Sequence, residues 1–448
     1  MRNLRLVVFL AILALLAAAC GGGGGDGTDA GGGGGTDAEE ALGDVDLTGV
    51  QLEVAAVWTG DEQEAFDAVL TAFEEQTGAS VTFISTGDDI AAALGPRISA
   101  GSAPDVAVLP QPGLLRDYAE EGALQPIEDV AGETVDANYE PIWRELGTVD
   151  NELYGVWFKA ANKSLVWYNV GAFEDAGVEE SENFEDFLSA AQTLTDSGVP
   201  AISVGGADGW TLTDWFENVY LRVAGPDKYD QLAEHEIPWT DESVKQSLQV
   251  LADAFDPTLL AGGTQAALQN DFNTSVTRVF TDPPEAAMVY EGDFVAGAIT
   301  GDTNAELGTD AEVFDFPEIE GSGPAVVGGG DVAVLMKDSE GGRAFMKFLA
   351  TPTAAEAWAS QGGFISPNKN IDPEVYPDDI TRDIATAVLD AGENFRFDLS
   401  DLQPSEFGGT AGRGMWKLFQ DFLSDPSDID GITQQLEEAA AAAYSGDR

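Results

Sequence analysis

The sequence predicts an α/β fold carried by more than one domain, and three observations lead there. Apolar strand-like runs alternate with helical stretches at the start of the body: QLEVAAVW (Gln51–Trp58), a helix over 61–76, SVTFIST (80–86), a helix over 88–100, and DVAVL (Asp105–Leu109). Such alternation implies a parallel sheet with right-handed crossovers. The chain beyond residue 46 is about 400 residues long, too long for one ordinary domain, and its nine Trp and 23 Phe are ample for a packed core.

Each element has its own signal. In the first helix Phe66, Val69, Leu70 and Phe73 share one face, and Gly78 follows as a C-cap. SVTFIST alternates as a strand does, and Ala103-Pro104 introduces the third strand. Leu153–Phe173 reads as two strands broken around Ala160–Lys163, a place for a crossover between domains. Helices are expected over 184–197, from Trp210 onward, and over 240–255 and 264–273, with a short strand over 201–204. Glu285–Ile299 reads as a strand running into a loop and a helix start, and Gly328–Leu335 as a strand. Helices over 341–350 and 353–361 follow, and the tail from Pro377 is helical.

Eighty acidic against twenty basic side chains give a net charge of -60. That surface repels nucleic acid and anionic headgroups, so neither is a partner through charge, and it resembles proteins from salty surroundings. His235 is the only histidine and Cys20 the only cysteine, which removes Ser-His-Asp and Cys-His nucleophiles and most zinc sites. No catalytic residue, metal site or cofactor is expected.

The N-terminus carries Arg2 and Arg5, an apolar run from Leu6 to Leu16, and Ala17-Ala18-Ala19 before Cys20. This is an export signal, too short to span a membrane as a stable helix. It resembles the lipobox of a bacterial lipoprotein, with the leucine one place early at Leu16, so Cys20 is the expected lipidation point. Residues 21–46, with two runs of five glycines, read as a tether reaching roughly 30 Å.

An ordered set of motifs runs through the body: W-x-G-x-E at Trp58–Glu62, AGSAPDVA at Ala100–Ala107, KSLVWYN at Lys163–Asn169, DGWxLxDWFE at Asp208–Glu217, MxxEGDF at Met288–Phe294, GGGD at Gly328–Asp331, and FRFDxSDxxP at Phe395–Pro404. Together they resemble the family 1 extracellular solute-binding proteins of bacterial ABC importers, nearest to the α-glucoside type (trehalose, maltose, sucrose). The resemblance covers about 400 residues. It implies a two-lobe periplasmic-binding-protein-like fold (type II), each lobe a mostly parallel sheet flanked by helices, with about three crossings between lobes. Signal peptide 1–20 and tether 21–46 precede them. The implied N-terminal lobe is 47–160 with 328–368, and the C-terminal lobe 161–327 with 369–448. Crossings are expected near Ala160–Ser164, Val326–Gly330 and Pro367–Ile371. The implied partners are a carbohydrate and a membrane permease, at the extracytoplasmic face of the cell membrane.

A sugar presents hydroxyls in fixed directions and C–H faces between them, so its site needs polar side chains and aromatic platforms. Ligands of open sheets collect at strand carboxyl ends, which gives Trp58 and Glu62, Asp88 and Asp89, and Gln111. Asp88 and Asp89 read equally as a helix cap and first-turn acid; Asp61 and Glu62 carry the same ambiguity. From the second lobe come Trp210 and Asp214, then Glu291, Asp293 and Phe294 around Gly292, the constellation expected to matter most. Gly330 and Asp331 read either as cleft lining or as a plain turn. Arg396, with Asp398 beside it, either forks onto sugar hydroxyls or pairs with a carboxylate. Lys159 and Asn162 read as hinge contacts. The functional expectation is an α-glucoside disaccharide or short oligosaccharide captured without catalysis. A polyamine or other cationic solute is the alternative, then a lipid-anchored glycoside hydrolase or an adhesin.

Overall fold

The computed structural model describes residues 36–445 apart from Asp88, Gly392 and Glu393. The signal segment and Cys20 lie outside the described residues. Two sheets organise the body. The larger orders its strands β12-β11-β3-β1-β2, with β6 also pairing β11. Its members are β1 (Gln51–Ala56), β2 (Ser80–Ser85), β3 (Val106–Leu109), β6 (Gly155–Asn162), β11 (Val326–Leu335) and β12 (Phe395–Phe397). Between β3 and β6 a two-stranded hairpin, β4 (Thr148–Val149) with β5 (Glu152–Leu153), stands apart. The smaller sheet, β10-β7-β9-β8, uses β7 (Leu165–Asn169), β8 (Ile202–Ser203), β9 (Met288–Glu291) and β10 (Ala311–Asp315).

The expected parallel pairing holds where helices connect the strands, β1 lying parallel to β2 and β3. The smaller sheet departs from the expected mostly parallel arrangement. β7 runs antiparallel to both β9 and β10, and only β8 and β9 are parallel. Its side chains show the two-residue period of a strand buried on both faces. Leu165, Trp167 and Val289 enter one core, while Val166, Met288 and Tyr290 enter the other.

Three further expectations need correction. The folded chain reaches back into 21–46: Ala38–Leu42 is helical, Asp37 caps it, and Ala38 and Ala41 are buried. Two small apolar side chains and a cap suffice there because Asn138 also receives the Thr36 N–H at 3.0 Å. The chain does not change core at Pro367–Ile371. Ile365 and Tyr376 are buried on either side in the core of the larger sheet, and β12 then pairs parallel with β11. The change comes at Asp398–Leu399, where Phe397 belongs to one core and Leu399 to the other. The stretch 264–273 is split, with helices at Gly263–Ala267 and Phe272–Phe280.

The joint between the sheets is Lys163-Ser164, between β6 and β7, and it is heavily tied. Asn162 N–H donates to Asp293 Oδ1 at 2.7 Å, and Asp293 N–H returns a bond to Asn162 O at 3.0 Å. Ser164 Oγ donates to Asn218 Oδ1 at 2.6 Å and accepts from Val327 N–H at 2.9 Å. No helix among the described residues is long and apolar enough to cross a membrane.

Candidate functional site

A cleft of about 830 Å³ opens at the carboxyl ends of β1 and β3. One wall comes from the larger sheet and its helices. Trp58 leaves β1 with its ring packed edge-on to Trp358, centroids 4.6 Å apart, and its Nε1–H donates to Asp331 Oδ2 at 3.3 Å. Glu62, in the helix Gly60–Thr77, accepts from Lys159 Nζ at 2.5 Å, and that ammonium lies 5.2 Å from the Trp358 ring centroid. Burial pushes Asp331 up to about 6, with Lys159 working the other way. The facing wall is aromatic. Trp210 opens the helix Trp210–Ala224, and its ring meets those of Phe272 and Phe294 at 5.5 and 5.9 Å.

Beneath Trp210 sits Lys163. Its Nζ lies 2.5 Å from Asp398 Oδ2, 3.2 Å from Asp214 Oδ2 and 3.8 Å from Asp401 Oδ2, and 5.7 Å from the Trp210 centroid. Burial opposes the ammonium, yet these carboxylates hold the Lys163 pKa well above the usual value. Burial would also raise Asp398, but Lys163 and hydrogen bonds, including one from the Asp401 N–H, hold it below the usual carboxylate range. Asp214, Glu217, Glu291 and Asp401 go the other way, raised first by burial and then by one another or Asp398. Burial and mutual repulsion thus favour the neutral form of Asp214, Glu217, Glu291 and Asp401, while the Lys163 ammonium favours the charged form of Asp398. Asp214, Glu217 and Asp398 bring carboxylate oxygens within 4.8 Å of one another, a spacing open to a metal ion. Lys163 already supplies the cation there, and Glu217 is satisfied by the Leu399 and Ser400 N–H groups.

Of the residues singled out from sequence, Trp58, Glu62, Gln111, Trp210, Phe294, Asp331 and Asp398 line the cleft. Others do not. Asp89 caps the helix Ile90–Ser99, accepting from Ala92 N–H at 2.9 Å, and Asp88 lies outside the described residues. Gly330 is held in the sheet, where a Cβ would meet Lys159 O at 2.4 Å. Arg396 turns away to Asp230, Nε to Oδ1 at 2.7 Å. Asp214 is fully buried beneath the cleft. Glu291 and Asp293 are buried below it too, because the chain turning out of β9 sends only Phe294 to the cleft. Sequence reasoning passed over Lys163, Phe272, Trp358, Asp401 and Trp416, and set Lys159 aside as a hinge contact; all line the cleft. The available signal was two lysines four residues apart at a strand break, in a chain with only twenty basic residues.

Burial pushes Asp293 up to about 7, Lys159 and the Asn162 N–H opposing it. An unfolded aspartate titrates near 4, so the folded protein holds the extra proton between about 4 and 7 and this group's contribution to stability falls as pH rises through that window. Asp293→Asn is expected to remove up to roughly 1.4 kcal/mol per pH unit of that slope. Urea unfolding at pH 5, 6, 7 and 8 in constant salt checks it, and an unaltered slope would refute the assignment.

Residues 59–356 match the family described as bacterial extracellular solute-binding protein. The chain is 36% identical over 373 residues to the osmoprotective compounds-binding protein GgtB of Synechocystis, covering 82% of this chain and 87% of that one. It is 33% identical over 400 residues to the alpha-glucosides-binding periplasmic protein AglE of Rhizobium meliloti, covering 86% of each. Among solved structures, the bacterial solute receptor AcbH superposes with a TM-score of 0.77 at 18% identity, over 88% of this chain and 98% of that chain. RafE in complex with raffinose superposes with a TM-score of 0.70 at 15% identity, over 88% and 100%. The fold is thus the two-lobe one of the solute receptors, and the chain belongs to the bacterial extracellular solute-binding proteins of family 1, which serve ABC importers.

Proposed function

We propose that the protein captures a neutral carbohydrate, an α-glucoside of two or a few units, in this cleft and hands it to a membrane permease without altering it. The observation that carries the reading is the pairing of each cleft ammonium with carboxylates beside an indole: Lys159 with Glu62 and Trp358, Lys163 with Asp398 and Trp210. A hydroxyl both accepts and donates, so an ammonium next to a carboxylate suits it, while the indole face covers the C–H side of the ring. A relative named for alpha-glucosides supports the same class. Closure at the Lys163-Ser164 joint is the motion this requires, driven by contacts that only the closed form makes. Lipid attachment through Cys20 holds the body at the outer face of the membrane, and the acidic surface suits high salt.

A cationic solute is the second reading, favoured by the acidic lining, where Asp208, Asp271 and Asp302 join the carboxylates already described. Against it, such a ligand faces both ammonium groups. Thermal shift in high salt separates the two readings, with trehalose, maltose, sucrose, maltotriose, glucose and spermidine as ligands and the sugars analysed afterwards. A ligand at a hundred times its dissociation constant adds about 2.7 kcal/mol. A shift with an α-glucoside recovered intact is expected. A shift with spermidine alone, or cleavage of a sugar, would overturn the proposal.

A further inference from the structure

Asp293 stands where the two sheets meet. It follows β9 of the smaller sheet, and its Oδ1 and N–H are tied to the N–H and O of Asn162, the last residue of β6 in the larger one. Its second oxygen is placed differently: Oδ2 is buried and meets no hydrogen-bond partner among the described residues. The charged groups facing Asp293 are Lys159 of β6 and Glu62 of the helix Gly60–Thr77. Asp331 of β11, the cross-strand partner of Lys159, faces the same ammonium and also feels Lys163. Tyr376 lies close too, accepting from Ser366 N–H at 3.2 Å, and burial pushes it up to about 12, so it stays neutral. Three carboxyls from three elements therefore share Lys159, and among the described residues only Glu62 is within ion-pair distance of it. With all of them charged, the cluster holds three negative charges against one positive in a largely buried place, an excess that one proton relieves. Burial pushes Asp293 up to about 7 and Asp331 up to about 6, so Asp293 is the one of the two that changes charge closest to neutral pH.

We propose, resting on the carbohydrate reading above, that Asp293 is a proton site coupled to the cleft: when a neutral sugar is enclosed, Asp293 Oδ2 takes one proton from solvent, and affinity rises as the surroundings acidify. The coupling is geometric. Glu62, Lys159 and Asp331 line the cleft and Asp293 lies beneath it, so a sugar laid over the first three removes water from the cluster that Asp293 completes. Water is what makes the excess negative charge tolerable, and its removal favours the neutral carboxyl. The proton goes to Oδ2 without breaking the joint, because the Asn162 N–H bond uses Oδ1. A carboxyl whose pKa is higher in the complex than in the free protein makes the complex hold more protons. Affinity then falls as pH rises between the two values, by at most about 10-fold per unit. For Asp293 that interval starts near 7, the value in the free protein. The receptor so built grips its sugar in mildly acidic surroundings and releases it more readily as pH rises.

The test is calorimetric titration, in constant high salt, with whichever of trehalose, maltose and sucrose gives the largest thermal shift. At pH 7.5 the titration is run in phosphate and in Tris, whose heats of ionisation differ widely, so that the difference in binding heat counts the protons exchanged. Uptake of about half a proton per sugar bound is expected, and affinity about 5-fold weaker at pH 8 than at pH 6. Asp293→Asn keeps an acceptor for the Asn162 N–H and imitates the protonated acid. Once its melting curve confirms folding, its uptake should fall by more than half, and its affinity at pH 8 should match that of the unsubstituted protein at pH 6. Equal heats in the two buffers for the unsubstituted protein, proton release on binding, or uptake unchanged in Asp293→Asn would each overturn the proton site while leaving carbohydrate binding standing. The first two of these need no variant. Absence of binding by all three sugars would instead overturn the function on which it rests.

Discussion

Lys163→Met is expected to destabilise the protein by about 3–5 kcal/mol at pH 8, the cost of stranding buried charge when one partner of an ion pair is removed. Asp214 and Asp398 are fully buried, and Lys163 is the ammonium within salt-bridge distance of both. Methionine keeps the stem and its packing but not the charge, so the loss is electrostatic. Its pH dependence identifies it. Lys163 holds the Asp398 pKa below the ordinary range in the native protein; without it that carboxyl rises and takes a proton, which offsets the loss as pH falls. The deficit relative to the unsubstituted protein should therefore shrink between pH 8 and pH 5, measured by urea unfolding at fixed high salt. A deficit under 1 kcal/mol, or one that is constant with pH, would show that the cluster does not depend on this lysine.

Trp210→Ala is expected to cost about 30-fold in affinity for the bound sugar, roughly 2 kcal/mol, as removal of a central aromatic anchor does. The indole packs against the touching rings of Phe272 and Phe294 and lies over the Lys163 ammonium. Removing it takes away a stacking face and uncovers the ion pair to water at once. Because the Trp210–Ala224 helix buries its other side through Leu212, Trp215 and Phe216, the fold should survive, and the melting temperature without ligand should fall by only a few degrees. Undiminished affinity, measured by calorimetry, would remove Trp210 from the site.

The parts of the fold that were legible are those with long, regular patterns. The helix face of Phe66, Val69 and Phe73 and the runs around Val54 and Val106 have enough residues for a period to declare itself, and all are buried. β12 was not legible, since three residues cannot show a period and its pairing with β11 is set by residues about seventy positions earlier. The antiparallel order of the smaller sheet was hidden for the same reason. Among the residues singled out, aromatic residues at the end of a strand or the start of a helix reach the cleft lining, as Trp58, Trp210 and Phe294 do. Carboxylates divide, with Glu62, Asp331 and Asp398 in the lining and the others away from it, because Asp89 as a cap, Asp293 as an acceptor for the Asn162 N–H and Glu291 as a buried neighbour of Asp214 use the same side-chain chemistry as a ligand contact. Lysines at the joint were undervalued because a crossing explains their position equally well, and only the three-dimensional arrangement brings their ammonium groups beside Trp358 and Trp210.

Occupation of the cleft by a neutral α-glucoside, as proposed, is open to one direct experiment. Titration calorimetry of the protein in high salt against trehalose, maltose and sucrose, with spermidine as the contrast, tests it most directly. Saturable one-to-one binding of at least one of these sugars is expected, lost or strongly weakened in Trp210→Ala, with the sugar recovered unchanged. Saturation by spermidine with no heat from any carbohydrate, or sugar binding indifferent to Trp210, would contradict it.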